Sequence, residues 1–146
     1  MGSNDMDINK LLGYNINRVA ILMRNGLIQC FREFQITPEQ WTALVILWEQ
    51  DSMSQTELAS ITLQSPPAVS NMIKRMVKNG YVTKERDVNS ERTTIIRLTE
   101  KGRDMEDVLK AKWSQASKDL RKNFAPSKIE DLNNLLIEYR KSTGDI

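Results

Sequence analysis

Residues 54–80 read SQTELASITLQSPPAVSNMIKRMVKNG, and two helix starts lie inside them. Ser54-Gln55-Thr56-Glu57 has the spacing of a capping box, in which the serine side chain takes the N–H of the glutamate and the glutamate side chain takes the serine's own N–H; Met53 and Leu58 stand where a hydrophobic staple needs its two halves. This predicts a short helix from about Gln55 to Ile61. After the polar turn Thr62-Leu63-Gln64, Ser65 caps a second helix that has Pro66 at its first position and stops near Asn79-Gly80. Along it Val69, Met72, Ile73 and Met76 form one apolar stripe, and the opposite side carries Pro67, Ala68, Ser70, Asn71, Lys74, Arg75 and Lys78. That polar, basic side is left for a partner.

Working outward, Thr37-Pro38-Glu39-Gln40 is another capping box, stapled by Ile36 and Trp41, and the spacing of Trp41, Leu44, Val45 and Trp48 carries its helix to about Gln50. On the other side the period changes to two. Tyr81 to Arg86 and Thr93 to Leu98 read as short antiparallel strands joined by a six-residue polar loop, Asp87 to Arg92, that projects like a wing. Longer helices bracket this centre, one from about Asp7 to Phe34, one from about Glu100 to Asn123, and a last one starting within two residues of Pro126. Its cap is ambiguous, because Ser127-Lys128-Ile129-Glu130 is itself a capping box.

The chain has 146 residues, 40% of them apolar and 27% charged, which suits one globular domain. Residues 1–7 lack the cationic start and apolar stretch of a signal peptide, and no apolar run is long enough to span a bilayer, so a cytoplasmic location without membrane contact is expected. One cysteine, Cys30, excludes an intramolecular disulfide, and the absence of histidine removes the commonest general base and metal ligand. No cofactor, metal or catalytic site is expected, and an enzyme would have to work with Cys30 or carboxylates alone.

Net charge is only +2. Its distribution is uneven, with nine basic against four acidic residues from Pro66 to Arg103, so that this segment carries +5 and the remainder −3. A basic middle between mildly acidic arms is the footprint of a segment that faces phosphate.

Helix, turn, helix and then a two-stranded ribbon is the order of a winged helix-turn-helix, whose second helix enters the major groove of DNA. The expected fold is mainly α, with six helices plus a two-stranded β-wing. Residues 36–99 form the DNA-binding region of a single domain spanning 1–146, and residues 7–34 and 100–142 supply dimerisation helices. On the second helix, Ser65, Pro67, Ala68, Ser70 and Asn71 are the candidates for close approach to base edges and nearby phosphate, with Ala68 suited to a thymine methyl and Asn71 to adenine. Lys74 and Arg75, further along, suit the phosphate backbone. Arg92 at the end of the loop suits a narrow minor groove, and Lys84 and Arg86 suit flanking phosphates. A winged helix needs only about 65 residues, so the terminal helices have apolar surface to bury against a second subunit. A two-fold homodimer would set two recognition helices about 34 Å apart and demand a palindromic site.

At Glu57-Leu58-Ala59, Pro66 to Gly80, Arg86-Asp87 with Arg92, and Leu98-Thr99-Glu100-Lys101-Gly102, the chain resembles the multiple antibiotic resistance regulator (MarR) family. The helix order fits from about Ile8 to Lys141. The resemblance implies a triangular homodimer that usually represses transcription and often releases DNA when a small phenolic or other lipophilic effector binds. It places the family's recognition helix on Ser65 to Arg75 and its wing-tip arginine on Arg92, and it suggests that Trp41, Trp48 and Trp113 line an effector pocket. Ser90 and Glu91 depart from the family, which typically has Asp and then Arg or Lys there; an acidic Glu91 opposes phosphate binding. The oxidation-sensing branch keeps its cysteine near the start of the first helix, whereas Cys30 is near the end, where a packed thiol is expected. The alternative reading, favoured by Glu91 and the small total charge, is a winged-helix protein-interaction module with no DNA role.

Overall fold

The computed structural model describes residues 6–145, and the side chain of Glu91 lies outside the described residues, as does the polar start of the chain through residue 5. The elements run α1 (Leu12–Cys30), α2 (Pro38–Gln50), β1 (Ser52–Ser54), α3 (Gln55–Thr62), α4 (Pro66–Lys78), β2 (Val82–Asp87), β3 (Ser90–Leu98), α5 (Glu100–Asp104), α6 (Glu106–Arg121) and α7 (Pro126–Ser142). The three strands form one antiparallel sheet in the order β1-β3-β2.

The capped helices begin where their side chains dictate. Thr37 accepts from the N–H of Gln40, Ser54 and Glu57 complete the reciprocal capping box, and Ser65 accepts from the N–H of Ala68 with Pro66 following. Between α3 and α4, Leu63 turns the chain in the left-handed conformation at φ 54°, so the two helices pack directly on one another. The core gathers Leu44, Leu47, Leu58, Val69, Ile73, Met76, Val82 and Ile96, with Phe31 from just past α1 and Leu109 from α6.

Four expectations need correction. The first helix is not continuous from Asp7 to Phe34: Leu11 is extended, and single 3-10 turns at Ile8–Lys10 and Arg32–Phe34 flank α1. The second turn lets Phe31 enter the core and Gln35 reverse the chain at φ 55°. The helix expected from Glu100 to Asn123 breaks at Met105, because α5 is tied to the sheet end while α6 follows α1. The sheet has a third strand, since Met53 pairs opposite Ile96 and both are buried. The wing is not a six-residue loop; Asp87 pairs with Ser90, only Val88 and Asn89 form the turn, and the register then jumps to Arg86 opposite Thr94. Residues 91–93 therefore bulge from β3. As for the last helix, Pro126 opens it without a side-chain cap.

The segment Leu98 to Gly102 joins the sheet to α5. Leu98 N–H donates to Asp51, Thr99 N–H donates to Tyr81, and the Thr99 hydroxyl caps α5 by accepting from Gly102 N–H at 3.0 Å. Gly102 is buried so tightly that a Cβ would lie 2.3 Å from the Tyr81 carbonyl oxygen, and its own carbonyl accepts the buried Trp48 indole N–H at 2.9 Å. Only glycine fits there. Between α1 and α6, Cys30 lines an open cleft of about 680 Å³, where burial pushes its thiol pKa up while the nearby Lys112 ammonium pulls the other way.

No helix among the described residues is long and apolar enough to cross a membrane. Two outcomes are expected. Gly102→Ala should lose about 2 kcal/mol or more of stability in urea denaturation, because backbone has to move to admit the methyl group; an unchanged midpoint would contradict the packing. Cys30 should react with a disulfide reagent at pH 7 more slowly than free cysteine and at the free rate once unfolded, since the raised pKa lowers its thiolate fraction.

Candidate nucleic-acid interface

Helix α4 is held by one side only. Val69, Met72, Ile73 and Met76 are buried, each at 6% exposure or less, and each contributes roughly 1.5–3 kcal/mol by leaving water. Burial of that stripe turns it inward along the thirteen-residue helix and leaves the opposite residues on the outer face. Pro67, Asn71, Lys74 and Lys78 recur three or four residues apart along the outer face, and all are exposed. Arg75 is exposed beside them, and Ala68 and Ser70 are half-buried at the edge of the stripe. Ser65 is exposed, with its hydroxyl occupied as the cap, at 3.3 Å from the Ala68 nitrogen.

The wing carries the remaining candidates. Val82, Lys84 and Arg86 alternate onto the side of β2 that also carries Ile96 and Leu98 opposite them, the sheet side that packs in the core; Val82 is buried there, whereas Lys84 and Arg86 lie beyond the core edge and are exposed. Arg92 sits in the bulge of β3 and is exposed. The sequence-predicted contact residues thus come together on the winged half of the chain, α4 and the ribbon, while Arg92 extends from a strand irregularity rather than a loop tip.

The charges divide by partner. Arg97 bonds Glu85 across the ribbon at 3.0 Å, Arg103 bonds Asp51, and Lys101 donates to the Asn79 carbonyl. Among the described residues, Lys74, Arg75, Lys78, Lys84 and Arg92 have no carboxylate partner, so their charge is directed to solvent. Cations left without counter-charges along one helix face and the adjoining ribbon form a surface for a polyanion. The described residues include no cluster of acidic, cysteine or histidine side chains able to hold a metal.

Two of the three tryptophans touch one another at the core. Trp41 lies between Phe31, at 4.8 Å between ring centroids, and Trp48, at 5.7 Å edge-on. Trp113 packs half-buried against the same cluster. Trp48 is committed to the Gly102 carbonyl. The residues that sequence reasoning left without a physical role are Thr99, Lys101 and Gly102; their motif was visible, yet their partners Asn79, Gly80 and Tyr81 lie about twenty residues earlier.

The arms present the opposite picture. No residue of α1 or α7 is buried, although Leu12, Ile16, Leu132, Leu135, Leu136 and Tyr139 are apolar and together line a groove of about 420 Å³. So much apolar surface on two facing helices is unusual for a chain that stays alone.

Comparison with known proteins agrees with this architecture. The chain is 26% identical over 126 residues to the homoprotocatechuate degradative operon repressor of Escherichia coli, covering 83% of this chain and 85% of that one. Its fold matches a MarR-family transcriptional regulator from Rhodococcus sp. RHA1 with a TM-score of 0.84 at 18% identity, over 90% of this chain and 94% of that chain. It also matches the transcriptional repressor CouR, solved bound to a 23-mer DNA duplex, with a TM-score of 0.84 at 23% identity over 95% and 99% of the two chains. Residues 36–94, which run from the entry to α2 into the wing, match the MarR family itself. Residues 36–94 of the chain thus form a MarR-family match.

Proposed function

We propose that the chain is a DNA-binding transcription regulator, a repressor, that grips a palindromic operator as a homodimer, with α4 in the major groove and Arg92 at the minor groove. The observation that carries this reading is the outer face of α4, where Asn71, Lys74, Arg75 and Lys78 stand exposed and the three cations lack carboxylate partners. Asn71 supplies a donor and an acceptor that match the adenine edge, and Ala68 offers a methyl group where a thymine methyl would lie. Lys74, Arg75, Lys84 and Arg86 neutralise phosphates and set register. The similarity to an operon repressor and to a repressor solved on a duplex supports the same assignment.

Dimerisation completes the geometry. The apolar groove between α1 and α7 is the surface a second copy covers, and the pairing sets two copies of α4 on one side of a duplex about 34 Å apart. A small lipophilic or phenolic effector would act by changing that spacing, and Trp41, Trp48 and Trp113, each packed in or against the core, are the candidates to meet it. No step of this function calls for a catalytic group or a cofactor.

Titration of a promoter fragment at rising salt tests the proposal: affinity should fall steeply and linearly on a log-log plot, and a scrambled duplex should bind much more weakly. Salt-independent binding, or equal affinity for both duplexes, would overturn it. Asn71→Ala should lose about 1–3 kcal/mol on the preferred sequence and relax its base preference, whereas Lys74→Ala should weaken every duplex alike and lower the salt slope by about one. Leu136→Asp should convert the dimer to monomers in sedimentation and abolish operator binding with the winged half still folded.

A further inference from the structure

A helix leaves its last carbonyls without intrahelical partners, and the way α4 disposes of them connects its far end to the second arm. Gly80, at φ 81°, reverses the chain so that its own N–H donates to Val77 and the N–H of Tyr81 donates to Met76, each at 3.0 Å. Just past the helix, the carbonyls of its C-cap Asn79 and of Gly80 take side-chain donors. Asn79 accepts from the Lys101 ammonium at 2.7 Å, and Gly80 accepts from the Thr99 hydroxyl at 2.5 Å. Both donors come from the turn that starts α5. That turn is itself immobilised, because Thr99 caps the Gly102 N–H and the next carbonyl along, that of Gly102, takes the Trp48 indole. Lys101 also lies 5.2 Å over the Tyr81 ring, whose hydroxyl donates to Phe34 at the end of the first arm. A cation at the negative end of the helix dipole is favourable in its own right.

We propose that Lys101 is a positioning residue for sequence reading: its bond to the Asn79 carbonyl fixes the angle at which α4 is presented to DNA. This inference rests on the DNA-binding reading and deepens it. Lys101 is exposed and lies in the basic segment, so a direct phosphate contact is the competing account of any effect it has.

The experiment compares Lys101→Met and Lys101→Arg with the unmodified full chain, measuring binding to a duplex that the unmodified chain selects from a random library and to its scrambled counterpart over a range of salt. For Lys101→Met the ratio of the two affinities should fall by about tenfold or more, because discrimination depends on alignment with base edges. Its salt slope should stay unchanged, and its melting temperature should fall by no more than about 4 °C, the scale of one surface cation at a helix end. Lys101→Arg, which still places a donor on the carbonyl, should recover most of the ratio. A parallel loss on both duplexes with a slope lower by about one would overturn the assignment in favour of a phosphate contact. An unchanged ratio would overturn it outright, as would a large drop in melting temperature that Lys101→Arg does not repair. If the unmodified chain binds no duplex at all, the DNA reading falls and the assignment falls with it; if it binds and Lys101→Met discriminates equally well, only the assignment falls.

Discussion

Burial of Val69, Met72, Ile73 and Met76 against α3, the sheet and the head of the core is the constraint from which the rest follows. A helix fixed by one narrow stripe has a determined outer face, and the sequence places on that face the small residues, the amide and the cations that a duplex would meet. Neutral substitution of the stripe would leave α4 free to rotate, and its chemistry would lose direction before it lost charge. The same stripe explains why the chain tolerates unpaired cations there: facing water, they carry no desolvation cost until a polyanion arrives.

Local chemistry made much of this legible beforehand. The starts of α2, α3 and α4 are written in caps of four residues, and each helix begins where its Ser or Thr says it must. The elements that escaped are those fixed by distant partners. Ser52–Ser54 looks like a helix entry, and becomes a strand only because residues 95–97 pair with it some forty positions later. The breaks at Leu11 and Met105 fall inside apolar helical patterns, which record the face of a helix and say nothing of a change in its axis. In the wing, the jump from Asp87–Ser90 to Arg86–Thr94 is a matter of strand register, and alternation alone could not place Arg92 in a bulge. The exposure of Pro67, Asn71, Lys74, Arg75, Lys84 and Arg86 does not depend on those elements, since it follows from α4 and from the alternation along β2.

The Leu98 to Gly102 segment shows how a sequence signature acquires a cause. Its glycine leaves no room for a methyl group beside the Tyr81 carbonyl, its threonine both caps α5 and donates to Gly80 in the turn before β2, and its lysine donates to the carbonyl of Asn79, the C-cap of α4. These bonds tie α4, the sheet and α5 to one another. The arms beyond have the reverse character: α1 and α7 bury none of their residues and keep a groove of leucine, isoleucine and tyrosine open, so their stability depends on what covers them.

The central claim is that the outer face of α4 lies in the major groove, and methylation interference on a bound duplex addresses it directly. Guanine N7 is reached only from the major groove and adenine N3 only from the minor. The account predicts two clusters of interfering guanine N7 positions about one helical turn apart, flanked by adenine N3 interference where Arg92 reaches. Interference confined to adenine N3, or a single major-groove cluster without its two-fold mate, would contradict it.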